Sequence, residues 1–507
     1  MVSVCEGHQY VDWENPVITR RAILGGLLAG VSAPALGEIV ERSLVPLPRP
    51  SRANTTSTAS NPSRSARLVE AANLGGSTGF VVLDAKTGAV LEARAADVPM
   101  PPASVAKAMT SLYALDKLGP QFRFPTRMMA TGPIEAGMVQ GDLILSGGGD
   151  PTLQTDQLGD LVARLSALGL KGVTGRFLYW DARLPGLPYV AADQPEHVGY
   201  NPAIAGLNLN FNRVHFEWKR DGGGGWTVAL DARGERFLPQ VDLVRVAVVD
   251  RKTPLFTYEP GATSEGWTVA SAALGKGGSR WLPVRHPGLY TAEVFRTLGR
   301  AQGIRLPVAG LTRSANGTEI GRIDSELLPE VLRDMLKFST NLTAEVVGLS
   351  TSGAPGLVAS GTAMASWANA TFGISTRFDN HSGLGGQTRI SPADMAKTLI
   401  AANREGRGLK PLLRDYGMRD DDGKEIKGHA IKVLAKSGTL NFVSGLAGHV
   451  VPPGGRELVF AIFSADPVRR DGIAVADREE PPGVKDWTRR ARRLQWQLIS
   501  GWAASYA

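Results

Sequence analysis

In the segment Pro101-Pro102-Ala103-Ser104-Val105-Ala106-Lys107, a hydroxyl and an amine stand three residues apart where a helical pattern begins. On a helix that spacing puts both side chains on one face. A lysine in a partly dry pocket loses basicity and can take a proton from a neighbouring hydroxyl, so Ser104 and Lys107 have the makings of an activated nucleophile. Pro101-Pro102 before and Gly119-Pro120 after predict a helix with Ser104 in its first turn. Its apolar positions are Val105, Ala108, Met109, Leu112, Leu115 and Leu118. First-turn N–H groups have no intrahelical partner, which leaves that of Ser104 for a developing oxyanion. Ser-x-x-Lys recurs by chance, so the rest of the chain decides whether this is more than a helix start.

Two later segments carry compatible groups. A helix with apolar positions Leu327, Leu328, Val331, Leu332, Met335 and Leu336 is predicted after a cap at Asp324 or Ser325. It breaks at Ser339-Thr340-Asn341 and resumes at Leu342, a way to present Ser339 and Asn341 to a cleft. Near the C-terminus, Ile431 to Thr439 reads as a strand that carries Lys436-Ser437-Gly438-Thr439, followed by a hairpin from Phe442 to Phe463. The final helix shows an apolar stripe of Trp487, Ala491, Leu494, Leu498 and Trp502 that would lie on this sheet. Its Arg489, Arg490, Arg492 and Arg493 read as a solvated face in preference to a lipid contact.

At 507 residues the chain is too long for one core and implies two or more domains. Its 43% hydrophobic and 21% charged residues are those of an ordinary globular protein. A formal charge of +8 permits attraction to anionic polymers or membrane surfaces, but no basic-aromatic motif points to nucleic acid. Thr19-Arg20-Arg21 precedes the apolar run Leu24 to Val31 and then Ala33-Pro34-Ala35, the pattern of a twin-arginine export signal cleaved after Ala35. That run is too short to span a bilayer, and Cys5, the sole cysteine, lies before it. These features predict a periplasmic protein with no integral span after cleavage and no disulfide. From about Arg127 to His286 short strands alternate with Gly-rich turns around a helix near Asp156 to Leu168, and nothing there looks catalytic. The runs Gly147-Gly148-Gly149 and Gly222 to Gly225 lack the Lys-Ser/Thr partner of a phosphate loop and read as turns. The seven histidines, His381, His429 and His449 among them, form no zinc-peptidase pair, so neither metal nor cofactor is expected. For His381 a core role is favoured over a place at the cleft.

Ser-x-x-Lys at Ser104, Ser-x-Asn at Ser339 and Lys-Ser-Gly at Lys436 resemble the motif set of penicillin-binding proteins and serine β-lactamases. Two decoys fail on context. Lys86-Thr87-Gly88 lies before the nucleophile in a hairpin turn, and Ser314-Ala315-Asn316 lies in a Gly-containing loop without flanking helices. The spacing is more specific: 235 residues separate Ser104 from Ser339, and 97 separate Ser339 from Lys436. Class A β-lactamases keep their first two motifs far closer. The long insertion resembles the class C low-molecular-mass penicillin-binding proteins, the D-alanyl-D-alanine carboxypeptidases and endopeptidases of peptidase family S13. Gly141 to Leu153, Leu336 to Glu345, and Asp379 to Leu384 with Ile390-Ser391-Pro392 look like segments of that family. The likeness covers roughly residues 66 to 507. It departs at Thr340, where Asp is usual, and at Ser437, where Thr is usual; neither change removes a required group.

The resemblance implies an α/β (α+β) transpeptidase fold, a five-stranded antiparallel sheet flanked by helices, with β-rich inserted domains. It divides the chain into a signal peptide (1–35), a flexible linker (36–66), a first catalytic part (67–126), the inserted region (127–286) and a second catalytic part (287–507). It implies a serine-type D-alanyl-D-alanine carboxypeptidase or endopeptidase that acts on peptidoglycan stem peptides through an acyl-enzyme and is acylated by β-lactams. Ser104 would be the nucleophile, Lys107 its base, and Ser339 the proton relay to the leaving amine. Asn341 would position Lys107 and the substrate amide. The N–H groups of Ser104 and Thr439 would form the oxyanion hole, and Lys436, Ser437, Gly438 and Thr439 the binding site for the substrate carboxylate. A serine β-lactamase would share the acylation but needs fast deacylation, and no persuasive equivalent of the class A Glu motif is present. A non-catalytic peptidoglycan-binding protein would lack one of these groups.

Overall fold

The computed structural model describes residues 63–507 apart from 405, 407 and 421. The expected export signal and most of the expected linker lie outside the described residues. The helix Arg64–Ala72 begins inside the expected linker, where the Ser63 hydroxyl caps it by accepting the Ala66 N–H at 3.1 Å.

A fully antiparallel sheet dominates the lobe that holds the Ser104 helix. Its strands are β1 (Ser77–Asp84), β2 (Val90–Arg94), β3 (Arg414–Asp415), β4 (Lys432–Leu440), β5 (Val443–Val451) and β6 (Leu458–Ala465), in the order β3-β4-β5-β6-β1-β2. The sheet thus has six strands where five were expected. The extra one, β3, is two residues long, too short for an alternating pattern to mark it. β6 is apolar almost throughout because both sheet faces are covered. Val459, Ala461 and Phe463 join the core under the Ser104 helix, while Leu458, Phe460 and Ile462 join a second core under the C-terminal helix.

The helices on the first face are α1 (Ala106–Leu118), α2 (Leu328–Phe338), α3 (Asn341–Ser352), α4 (Leu357–Phe372) and α5 (Pro392–Arg404). On the other face α6 (Val484–Tyr506) buries Trp487, Ala491, Leu494, Leu498 and Trp502, the stripe read from the sequence. The expected cap of α2 is displaced. Leu327 occupies the N-cap position with Pro329 in the first turn, while the Ser325 hydroxyl accepts the Phe124 N–H at 2.9 Å. Proline supplies the start that a polar cap would otherwise give.

Between the two parts of this lobe lies a β-rich region. A five-stranded mixed sheet (310–311, 177–180, 143–147, 125–130, 318–324) packs with several three-stranded sheets around Met128, Leu145, Phe177, Phe216 and Trp267. The helix Pro287–Ala301 and Ile323 belong to this core as well. The inserted core therefore continues past the expected boundary at 286, up to the turn at Ser325. Helical periodicity beyond Gly288 suggested a return to the first lobe, but periodicity does not say which core a helix faces.

One contact between chain segments fixes the start of α1. Gly438 on β4 and Gly445 on β5 are cross-strand partners, and the turn Ala103–Val105 rests on both. A Cβ on Gly438 would lie 2.6 Å from the Pro102 carbonyl oxygen and 2.7 Å from the Ser104 nitrogen, both backbone atoms that cannot swing aside. Gly438→Ala is therefore expected to destabilise the fold by about 1–3 kcal/mol. Gly186→Ala, where an added Cβ meets nothing within 4 Å, is expected to leave the thermal midpoint unchanged or slightly raised. Thermal unfolding of the two variants beside the parent checks this; equal midpoints would contradict the close approach.

Candidate active site

Ser104 lies in a single 3₁₀ turn, Ala103–Val105, that runs directly into α1. Ala103 is fully buried with φ +48°, a left-handed conformation unusual for alanine, so the chain enters the turn under local strain. Among the described residues the Ser104 N–H has no backbone partner. Lys107, one turn on, is completely buried. Its Nζ lies 2.9 Å from Ser104 Oγ, 2.8 Å from Asn341 Oδ1 and 2.9 Å from the Ser382 carbonyl oxygen. Burial pulls its pKa down to about 7, against the opposing pull of the Glu345 carboxylate.

The break between α2 and α3 does what its composition suggested. Ser339 ends α2 in a left-handed conformation, φ +59°, and Asn341 opens α3. The Asn341 amide is oriented from its other side as well. Its Nδ2 donates to the Tyr200 carbonyl oxygen at 3.1 Å, which turns Oδ1 toward Lys107. Tyr200 belongs to the inserted region, so a part of the chain that looked inert in sequence borders the site and orients one of its groups. Lys436, 3% exposed, donates to Ser339 Oγ at 3.0 Å and to the Ser437 carbonyl oxygen at 2.7 Å. Burial holds its pKa well below the ordinary lysine value, and the charges of Lys107 and Arg414 add to that.

Glu345, which the sequence reading quoted but gave no role, sits beneath this group. Its carboxylate is fully buried and accepts the backbone N–H groups of His381 at 2.9 Å and Ser382 at 2.8 Å. It thereby holds the two peptides that lead into the Ser382 carbonyl, which receives Lys107. Burial raises its pKa to about 6. A buried acid four residues after Asn341, on the same helix face, was the available signal. His381 is buried behind the site and does not border the cleft. Its Nε2 is 2.6 Å from Ser360 Oγ, and burial depresses its pKa to about 3.

Ser104, Ser339, Asn341, Ser437 and Thr439 line one cleft of about 1350 Å³, with Lys107, Lys436 and Gly438 packed immediately behind it. β3 pairs with Leu434 and Ala435, and the Tyr416 N–H bonds the Val433 carbonyl oxygen. Beyond Ala435, β4 pairs with no further strand on that side among the described residues, and its Ser437, Thr439 and Leu440 line the cleft. The two decoys stay away from it. Lys86 and Thr87 form a turn on the Asp84 carboxylate, and Ser314-Ala315-Asn316 is a loop tied to Thr312. Among the described residues no cluster of His, Cys, Asp and Glu could hold a metal ion.

A model of the D-Ala-D-Ala carboxypeptidase 3 (S13) family matches residues 65–480. The D-alanyl-D-alanine carboxypeptidase DacB of Haemophilus influenzae is 24% identical over 451 residues, 83% of this chain and 90% of that protein. A D-alanyl-D-alanine carboxypeptidase of Actinomadura sp. is 27% identical over 466 residues, 81% of this chain and 84% of that protein. The crystal structure of penicillin binding protein 4 (dacB) from H. influenzae superposes with a TM-score of 0.64 at 22% identity, covering 80% of this chain and 93% of that one. It has also been solved in complex with a β-lactam. The fold is accordingly that of a penicillin-binding protein, and the chain belongs to the D-Ala-D-Ala carboxypeptidase 3 (S13) family, a serine D-Ala-D-Ala carboxypeptidase.

Proposed function

We propose that Ser104 attacks the carbonyl of the penultimate D-Ala of a peptidoglycan stem peptide, with Lys107 as its base. The observation that carries this reading is the set of three contacts around Lys107 Nζ. Asn341 Oδ1 and the Ser382 carbonyl oxygen can only accept hydrogen bonds. A neutral amine therefore gives its two hydrogens to them and turns its lone pair to the Ser104 hydroxyl, the arrangement a general base needs. As the Ser104–carbonyl bond forms, the hydroxyl proton passes to Lys107 and the Ser104 and Thr439 N–H groups receive the oxyanion. Such a donor contributes about 3 kcal/mol or more.

Ser339, bonded to Lys436, is placed to relay a proton to the departing amine, which leaves as D-Ala or as a cross-linked strand. Lys436, with the hydroxyls of Ser437 and Thr439, receives the terminal carboxylate, and Gly438 keeps this strand close to Ser104. Water then hydrolyses the acyl-enzyme, whereas a β-lactam leaves a longer-lived adduct on Ser104. The substrate and the Arg20-Arg21 export pattern support a periplasmic location, and no described helix is long and apolar enough to cross a membrane. We read residues 67–126 and 325–507 as the catalytic lobe and the segment between as the insertion.

Fluorescent penicillin is expected to label the parent protein and not Ser104→Ala, with D-Ala release from pentapeptide muropeptides falling by about 10⁴-fold or more. Rapid turnover of a chromogenic cephalosporin would contradict a peptidase. Because the neutral amine is the active form, acylation is expected to rise as pH passes about 7 and then level. The Glu345 carboxylate raises the Lys107 pKa, so Glu345→Gln is expected to move that limb to lower pH, while Glu345→Asp keeps the charge and the limb. Stopped-flow acylation over a pH series measures this; a limb that stays in place or moves upward in Glu345→Gln would contradict it.

A further inference from the structure

The cleft that holds Ser104 continues along α6, and its charge is lopsided. Among its described lining residues are nine basic and three acidic side chains, a surplus of six. The whole chain has a surplus of only eight. The charge is thus concentrated beside the reaction centre rather than spread over the surface.

The origin is the face of α6 opposite its apolar stripe. Lys485, Arg489, Arg492 and Trp496 recur at helical spacing and line the cleft, with Arg493 alongside. Arg489, Arg492 and Arg493 are exposed, as a solvated face requires, and the fold sets that face along the cleft. Some of the charge is matched: Glu480 pairs with Lys485 and Asp193 with Arg478, carboxylates just outside the lining that reduce the surplus. Asp486 bonds Arg489 and Arg490, and Arg490 also donates to the Ala72 and Asn73 carbonyl oxygens. Arg492 and Arg493 are exposed, and their side chains have no hydrogen bond or ion pair with another described residue.

A second group of cations is held in place by ring stacking. Tyr416 and Trp496 stack with centroids 4.7 Å apart; the Arg414 guanidinium lies 5.2 Å from the Tyr416 ring and that of Arg419 5.8 Å from the Trp496 ring. Guanidinium groups ordered this way lose little freedom on binding an anion, and their planar fork suits a carboxylate. The site is concave and shared with the nucleophile, which suits an extended chain and not a flat bilayer.

We propose that the α6 side of the cleft is a second subsite, which holds the carboxylate-bearing part of a peptidoglycan strand away from the bond being cut. This rests on the peptidase reading above. The chain then prefers large, multiply charged muropeptides over minimal peptides, and the preference is electrostatic.

The test compares the parent with Arg492→Gln/Arg493→Gln on three substrates at rising salt. One is a diacylated Lys-D-Ala-D-Ala tripeptide, which bears only its terminal carboxylate. The others are a cross-linked muropeptide dimer with free side carboxylates and the same dimer with those carboxylates amidated. For the parent, kcat/KM on the free dimer is expected to exceed that on the amidated dimer by about three- to ten-fold at low salt, falling toward parity as salt screens the charges. The double variant is expected to lose that preference while hydrolysing the tripeptide as the parent does. An unchanged preference in the variant, or equal losses on all three substrates, would overturn the subsite and leave the peptidase reading intact. So would unchanged dimer kinetics combined with lost binding to polyphosphate or to anionic phosphatidylglycerol vesicles, which would assign the arginines to another partner. A parent inactive on every substrate would overturn the peptidase reading, and this proposal with it.

Discussion

The amine of Lys107 is completely buried among three oxygen atoms, and most of the architecture follows from keeping it there. A buried ammonium with incomplete pairing costs on the order of several kcal/mol, so the site favours a lysine that gives up its proton. Each oxygen comes from a different part of the chain. Ser104 is set by the strained turn resting on Gly438 and Gly445, Asn341 by the break between two helices, and Ser382 by the Glu345 carboxylate beneath it. Tyr200 reaches in from the inserted region to fix the Asn341 amide. On the proposed reading the insertion is coupled to the chemistry through the Tyr200 backbone carbonyl.

Two buried lysines share this small volume, and the charge of Lys107 disfavours that of Lys436. Like charges so placed titrate apart rather than together. On the proposed reading this separates their duties. Lys107 works as a neutral base, whereas Lys436 gains a counter-charge only when a substrate carboxylate arrives. Ser339 is hydrogen-bonded to Lys436 and lines the same cleft as Ser104. On that reading one arrangement serves both catalysis and recognition, because the same desolvation acts on both amines.

Much of the fold and site was legible in the sequence, for identifiable reasons. Motif order and the spacings between Ser104, Ser339 and Lys436 pointed to the family, and periodicity located α1, the C-terminal hairpin and the apolar stripe of α6. The misses share a cause: they depend on what an element faces rather than on what it is. Ser325 reads as a cap but bonds Phe124; the helix after Gly288 packs on the inserted core; β3 is too short to show a period. Glu345 was visible as an acid on an apolar helix, yet only the fold puts its carboxylate under the Ser382 peptide. The arginines of α6 are solvated as their composition suggests, and only the fold shows that this exposed face runs along the cleft.

The protonation state of Lys107 tests the account most directly. Nitrogen-15 NMR of the lysine ammonium groups, assigned with Lys107→Met and followed against pH, reads that state without substrate. A midpoint near 7 for Lys107 is the predicted result. An amine that stays charged until about pH 10, as a solvated lysine does, would contradict it and leave Ser104 without its base.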